Sequence, residues 1–142
     1  MFYTIVHLST VIVLFLIALT HYYWVLKPDA EPSSKVIPYI EGVPAFHASK
    51  LGTFLVASAL LLVTLFVMEL GAGIIGLLPT YILKIGGTLL AVVFIVRAIG
   101  DFRLVGFTKK IKDSTFAYYD TRYWSPLCAL IGLSLLYITW GS

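Results

Sequence analysis

Residues 51–99 read LGTFLVASALLLVTLFVMELGAGIIGLLPTYILKIGGTLLAVVFIVRAI, which is two apolar segments, 51–70 and 79–99, joined by a short glycine-rich link. A helix needs about 20 mostly apolar residues to cross the roughly 30 Å hydrocarbon core of a bilayer, and each segment meets that length. Gly71 and Gly73 in the link permit a tight reversal of the chain. The stretch therefore predicts an antiparallel pair of transmembrane helices.

Two further apolar segments extend this pattern on either side. Residues 2–26 have no basic n-region and no small-residue cleavage site, and their apolar run is longer than that of a signal peptide, so they predict a retained span. Residues 125–140 predict a short fourth span that tilts little or begins inside the preceding loop. The sequence thus predicts an all-α integral membrane protein, a single domain over residues 1–142 forming an antiparallel four-helix transmembrane bundle.

The overall composition agrees with a membrane protein. Apolar types make up 60% of the 142 residues and charged types 12%, against about 45–50% and 25% in ordinary soluble domains. The formal charge of +3 is modest, so no nucleic-acid partner is expected. The single cysteine, Cys128, excludes an internal disulfide and a CxxC redox pair.

The basic residues are distributed unevenly between the two sides of the predicted bundle. Nine of the ten lie within or at the ends of a proline-rich loop, 27–50, or in and around a basic amphipathic loop, 100–124, and only Lys84 lies towards the other side. Because positively charged loops stay in the cytoplasm, both loops are predicted to be cytoplasmic and both termini to face outward. The chain is therefore expected to be a multi-pass membrane protein.

A polar layer is predicted at the cytoplasmic side, where all four spans deliver polar or aromatic groups. Arg97 and Asp101 are four residues apart and could pair on one helix face. A pocket there would be lined by nine residues, His21, Tyr22, Trp24, His47, Arg97, Asp101, Arg103, Asp120 and Arg122. The competing interpretation is structural: aromatic residues form an interfacial belt, basic side chains snorkel, and an Arg–Asp pair locks helix ends together.

The leading functional hypothesis is that this pocket binds a lipid headgroup or a small amphiphile. Arg97 and Arg103 would hold its anionic group, and Asp101 and Asp120 would orient the two arginines. Two alternatives stay open: a structural or accessory subunit of a membrane complex, and a lipid-directed enzyme that uses His/Asp acid–base chemistry. None of the common catalytic motifs is present in the sequence, so whether the protein is an enzyme stays open.

The two histidines of the layer, His21 and His47, could donate or accept a proton at such a site. They could also supply axial ligands to a haem, although no motif supports this. No metal site and no cofactor are expected, with haem or a quinone left as minor alternatives. The expected partners are membrane lipids, anionic ones included, and either a second copy of the chain or another membrane protein.

Three strings carry a family resemblance: RAIGDFRLVGFTKKIKDSTFAYYDTRYWSPLC from residue 97, HYYW from 21 and VPAFHASK from 43. Together they resemble the DUF3995 group of small bacterial four-span membrane proteins, over essentially the whole chain. The resemblance implies an integral membrane protein of four helices, located as a multi-pass protein in the bacterial inner membrane, and it brings no established activity. The positions that match its motif are Arg97, Gly100, Asp101, Phe102, Arg103, Gly106, Phe107, Asp120, Ser125 and Pro126.

Overall fold

The structure, a computed structural model, describes residues 1–27, 37–45, 49–103, 105–112 and 114–141. The helices are α1 (Phe2–Leu26), α2 (Lys50–Ala72), α3 (Thr80–Ile99), α4 (Thr115–Tyr119) and α5 (Ser125–Trp140). A π-helical turn, Asp120–Trp124, joins α4 to α5, and a hairpin pairs the strands β1 (Tyr39–Ile40) and β2 (Val43–Pro44). Apart from this hairpin, the described secondary structure is helical.

Four helices are long and apolar enough to cross a membrane, as the hydropathy pattern predicts. They are Phe2–Leu26, Lys50–Ala72, Thr80–Ile99 and the continuous segment Thr115–Trp140. No more than 33% of the most apolar window of any of them is buried inside the protein. Most of their apolar side chains therefore point outward, as they would in a bundle surrounded by lipid.

The fourth helix begins earlier than hydropathy alone indicates. It starts at Thr115, ten residues before Ser125, with Ser114 as its N-cap: the Ser114 hydroxyl accepts a hydrogen bond from the backbone N–H of Ala117 at 3.1 Å. The segment FAYYDTRYW, residues 116–124, is helical although it mixes aromatic and charged residues. The basic loop between the third and fourth spans is correspondingly shorter than 100–124.

The other helix ends carry conventional stop and start signals. Ser49 caps the start of α2 by accepting a hydrogen bond from the N–H of Gly52 at 3.0 Å. Gly73 ends α2 in the left-handed conformation, with φ 55°. Glycine adopts this conformation with little strain because it has no Cβ. Pro79 then precedes α3, where its fixed φ suits the beginning of a helix.

The helices pack mainly in two pairs, α1 with α2 and α3 with α5. The buried centre consists of small and branched residues from all four spans: Leu14, Val67, Ala91, Ile131, Leu135 and Ile138. Gly87 lies against the side chain of Thr139, and Gly132 lies against the backbone of Ala91. The spacing of Gly87 and Ala91 predicts this close helix approach, since small residues let helix backbones come together. Ala48, paired with Gly52 in the same prediction, lies outside the described residues.

The antiparallel arrangement gives the bundle two chemically different ends. At one end, the termini end, Tyr3 of α1 donates a hydrogen bond from its hydroxyl to the carbonyl of Ile138 in α5 at 3.1 Å. At the other, the loop end, the C-termini of α1 and α3 meet the start of α2 and residues 100–124. The second and third spans touch through Phe66 at Gly86, although their closest partners are α1 and α5.

Candidate functional site

The chain leaving α3 at the loop end folds back onto that helix. The N–H of Phe107 donates to the carbonyl of Ala98 at 2.8 Å, and the N–H of Thr108 donates to the carbonyl of Ile99 at 3.1 Å. The Thr108 hydroxyl donates to the same Ile99 oxygen at 2.6 Å. The last carbonyls of a helix have no partner within it, so this segment caps α3 and is itself held in place.

Two glycines make this return possible. Gly100 and Gly106 adopt φ values of 97° and 82°, in the region that glycine alone enters without strain. Their backbones are in direct contact: a Cβ on Gly100 would collide with the carbonyl oxygen of Val105, and a Cβ on Gly106 would collide with the backbone of Gly100. Both motif glycines are therefore explained by close backbone approach.

Asp101 stabilises the turn between those glycines. Its Oδ1 accepts hydrogen bonds from the N–H of Arg103 at 2.9 Å and from the N–H of Val105 at 3.1 Å, which is the local pairing that favours Asp in turns. The predicted Arg97–Asp101 pair on one helix face is wrong, because α3 ends at Ile99 and Asp101 lies beyond its last turn. Arg97 instead pairs with Asp120.

Asp120 is the centre of a buried ionic cluster. It is 0% exposed, and its two oxygens accept three hydrogen bonds: Oδ1 from Arg97 Nη2 at 2.9 Å, and Oδ2 from the N–H of Gly106 at 2.7 Å and from Lys109 Nζ at 3.1 Å. The carboxylate thus ties α3, the returning loop and the fourth span together. We call Arg97, Gly106, Lys109, Asp120 and Thr121 the Asp120 cluster.

Lys109 is buried with all three of its donors in use. Its side chain is 1% exposed, and Nζ donates to Asp120 Oδ2, to the carbonyl of Gly106 at 3.0 Å, and to the hydroxyl of Thr121. A lysine ammonium has three donors, so its hydrogen-bonding capacity is satisfied inside the protein. Two cations and one carboxylate give the Asp120 cluster a net charge of +1.

The predicted pocket residues of α1 make their contacts within α1 and with α2. His21 Nδ1 donates to the carbonyl of Ile17 at 2.8 Å, and its ring packs edge-on against Trp24 with centroids 4.9 Å apart. The Tyr22 hydroxyl shares a hydrogen bond of 2.9 Å with the hydroxyl of Ser58 in α2. These contacts fix the end of α1 against α2.

The remaining predicted residues lie at the surface or outside the described chain. Arg103 is exposed, and its carbonyl accepts from the N–H groups of Lys110 and Ile111 at 3.0 Å each. Arg122 is exposed and its guanidinium lies 5.0 Å from the ring centroid of Tyr118. His47 falls outside the described residues. Among the predicted residues that the structure describes, it joins Arg97 and Asp120 in an ion pair.

An open groove of about 590 Å³ lies between the β1–β2 hairpin and the basic loop. Its lining is Ile40 and Glu41 from the hairpin, and Lys110, Ile111 and Lys112 from the loop. The groove therefore combines an apolar contribution from each side with two lysines and one carboxylate. Phe102 and Phe107, at 63% and 50% exposed, present further apolar surface on the same loop.

Sequence reasoning missed Lys109 as a member of the site. A lysine in a loop rich in Lys and Arg is usually a solvated or headgroup-facing cation, so its residue type alone gives no sign of burial. The usable signal was its position: it closes the RxxGDFRxxGFxK pattern that begins at Arg97. A cation that belongs to a motif of glycines and carboxylates is a candidate for burial.

The chain belongs to the DUF3995 family of proteins of unknown function, whose family model matches residues 14–135. The matched region contains the whole Asp120 cluster and three of the four spans in full or nearly so. No curated protein and no solved structure matches the chain. The expected resemblance is thereby confirmed, and the family adds no activity to the geometry.

Proposed function

We propose that this DUF3995 member is a multi-pass protein of the bacterial inner membrane that binds an anionic lipid headgroup or a small anionic amphiphile at its loop end. The orientation follows from charge: Lys27, Lys50, Arg97 and Arg103 are among the many basic residues of that end, while Lys84 lies towards the other. With the loop end in the cytoplasm, the basic surface would face the anionic headgroups of the inner leaflet.

The observation that carries the proposal is the groove between the hairpin and the basic loop. Lys110 and Lys112 would contact a phosphate, and Ile40 and Ile111 would contact the adjoining glycerol or acyl carbons. Lysine is a common phosphate ligand, and each cation near an anionic lipid surface contributes about 1 kcal/mol. Glu41, at the same groove, would discourage a second anion and favour a headgroup that also carries a hydroxyl or an amine.

The Asp120 cluster supports the proposal by holding the basic loop in one conformation. Preorganising a binding surface lowers the entropy lost when a ligand binds. The hypothesis drawn from the sequence is that Arg97 and Arg103 bind the anionic group directly, while Asp101 and Asp120 orient these two arginines. The ion pair of Arg97 with Asp120 agrees with that orienting role, and the exposed Arg103 could reach a headgroup at the rim.

The alternative functions draw less support from the described residues. An enzyme using His/Asp acid–base chemistry needs a histidine next to a carboxylate, whereas the hydrogen bonds of His7 and His21 go to the backbone carbonyls of Val67 and Ile17. A structural or accessory subunit would be favoured by a protein that co-purifies in fixed stoichiometry without bound lipid.

The proposal is tested by native mass spectrometry of the detergent-purified protein mixed with phosphatidylglycerol or phosphatidylcholine. We expect a preference for phosphatidylglycerol, which falls by about 30-fold in a Lys110→Gln/Lys112→Gln double variant, since two cations contribute about 2 kcal/mol. Lys84→Gln is the matched control, and it should keep the preference because Lys84 stacks over Trp140 on α5, at the termini end. Equal retention of both lipids by the wild type, or an equal loss in both variants, would refute the proposal.

A further inference from the structure

Ser125, the first residue of α5, has a buried hydroxyl without the partner that helical hydroxyls in this protein normally use. Six threonines donate to the carbonyl four residues earlier, at 2.6–2.9 Å; they are Thr10, Thr20, Thr53, Thr64, Thr88 and Thr139. Ser125 is 0% exposed, and its Oγ has no hydrogen-bond partner among the described residues. A buried hydroxyl left unpaired has lost its hydrogen bonds to water without replacement, so such a group calls for an explanation.

The π-helical turn before Ser125 explains why the local partner is missing. The N–H of Ser125 donates to the carbonyl of Asp120, five residues earlier, instead of to the residue four earlier. This wider turn changes the position of the preceding carbonyls relative to the side chain that follows them. Single π turns of this kind are frequent at functional sites.

A second buried polar atom without a partner lies on the neighbouring helix. Arg97 Nη2 is held by Asp120, whereas Arg97 Nη1 is buried and has no hydrogen-bond partner in the part of the chain that the structure describes. Ser125 precedes Gly132 by two helical turns, and Gly132 packs against Ala91 of α3. Because α3 and α5 are antiparallel, this register places Ser125 opposite the C-terminal turn of α3, at the level of Arg97.

The net charge of the Asp120 cluster determines which acceptor can best bind both Arg97 Nη1 and Ser125 Oγ. A water molecule could accept from Arg97 Nη1 and from the Ser125 hydroxyl, but it would leave the Asp120 cluster with its net charge of +1. Excess charge is strongly unfavourable in a setting of low dielectric constant. A monovalent anion accepts both hydrogen bonds and brings the net charge to zero.

We propose that Arg97 Nη1 and Ser125 Oγ bind a small monovalent anion of the halide class. The ion must be small because both donor atoms are buried, and the Arg97 side chain, 34% exposed, gives it a route from the surface. Asp120 and Lys109 complete the site by fixing the guanidinium and by setting the charge. This site is separate from the groove, and the inference does not depend on lipid binding there.

The test is the thermal unfolding of the detergent-purified protein in chloride or bromide, compared with gluconate at equal ionic strength. A ligand that binds only the folded state raises its stability in a saturable manner. We expect such a rise for the wild type and a half-saturating concentration about 10-fold higher for Ser125→Ala, since a hydrogen bond to a charged group contributes about 1.5 kcal/mol or more. Ser134→Ala is the matched control, as it makes the same change elsewhere on α5.

A second measurement keeps the test decisive if Ser125→Ala does not fold. Crystals of the wild-type protein grown in bromide should show an anomalous peak between Arg97 and Ser125. Unfolding temperatures that are the same in chloride and gluconate, or density for water alone with no anomalous peak, would overturn the inference. An unchanged half-saturating concentration in Ser125→Ala would also overturn it, because the hydroxyl would then not be a ligand.

Discussion

Replacing Asp120 with asparagine removes the negative charge of the Asp120 cluster while keeping the size and shape of the side chain. In the wild type, the carboxylate oxygens accept from Arg97 at 2.9 Å, from the N–H of Gly106 at 2.7 Å and from Lys109 at 3.1 Å. Asparagine has one acceptor oxygen, and its amide nitrogen must face either Arg97 or the other two donors. At least one donor would therefore meet another donor, and both cations would lose their counter-ion.

The expected loss of stability follows from the burial of those cations. Removing one partner of a buried ion pair is unfavourable by about 3–5 kcal/mol, because the remaining charge is left uncompensated. The Lys109 side chain is 1% exposed and bears most of this effect, whereas the Arg97 side chain is 34% exposed and is less removed from solvent. We expect Asp120→Asn to lower the free energy of unfolding by about 3–5 kcal/mol, a large part of the total of a typical protein.

Equilibrium unfolding in mixed detergent micelles, followed by the fluorescence of the three tryptophans, measures this loss. Asp101→Asn is the matched control: Asp101 is exposed and its Oδ1, which asparagine keeps, accepts two backbone hydrogen bonds. It should change stability by about 1 kcal/mol or less. Lys109→Met leaves the Arg97–Asp120 pair intact and should be milder than Asp120→Asn. Equal losses for the two Asp→Asn variants, or a larger loss for Lys109→Met, would refute the reasoning.

Two glycine substitutions test the close contacts of the fold. Gly100→Ala should destabilise the protein by about 1–3 kcal/mol more than Gly42→Ala. Both glycines have positive φ, but only Gly100 has a neighbour, Val105, in the path of a Cβ. Similar unfolding temperatures for the two variants would contradict the close approach. Gly71→Ala should displace the buried His7 ring from α2 and break its 2.9 Å hydrogen bond to the Val67 carbonyl. The expected loss of stability is about 2 kcal/mol. Unchanged hydrogen exchange around residue 67 would count against this displacement.

The four long helices could be predicted from sequence because a bilayer imposes a simple length requirement. A run of about 20 apolar residues has few alternatives in a membrane, whatever its tertiary contacts. The start of the fourth helix could not be predicted in the same way. Residues 115–124 contain Asp120 and Arg122, so hydropathy places them in a loop. Their helix is stabilised by the Ser114 cap and by contacts of Asp120 with the returning loop.

The ionic partners at the loop end could not be predicted because they depend on where the chain turns. Spacing favoured Asp101 as the partner of Arg97, since residues four apart share a helix face. Gly100 ends the helix first, and the loop closure that it permits brings Asp120, 23 residues from Arg97, into hydrogen-bonding distance. Local periodicity carries no information about such a closure, which depends on two glycine backbones packing together.

The three lysines at positions 109, 110 and 112 of the basic loop lie in two different environments. Lys109 is buried and paired with Asp120, whereas Lys110 and Lys112 are exposed at the groove. The buried ion pair fixes the backbone from Gly106 to Thr108 against α3, so the exposed lysines are presented from a rigid segment. A headgroup that binds them would then lose little of its affinity to ordering the loop. Under the proposed function, the carboxylate of Asp120 would position the two exposed lysines for lipid contact in addition to its structural role.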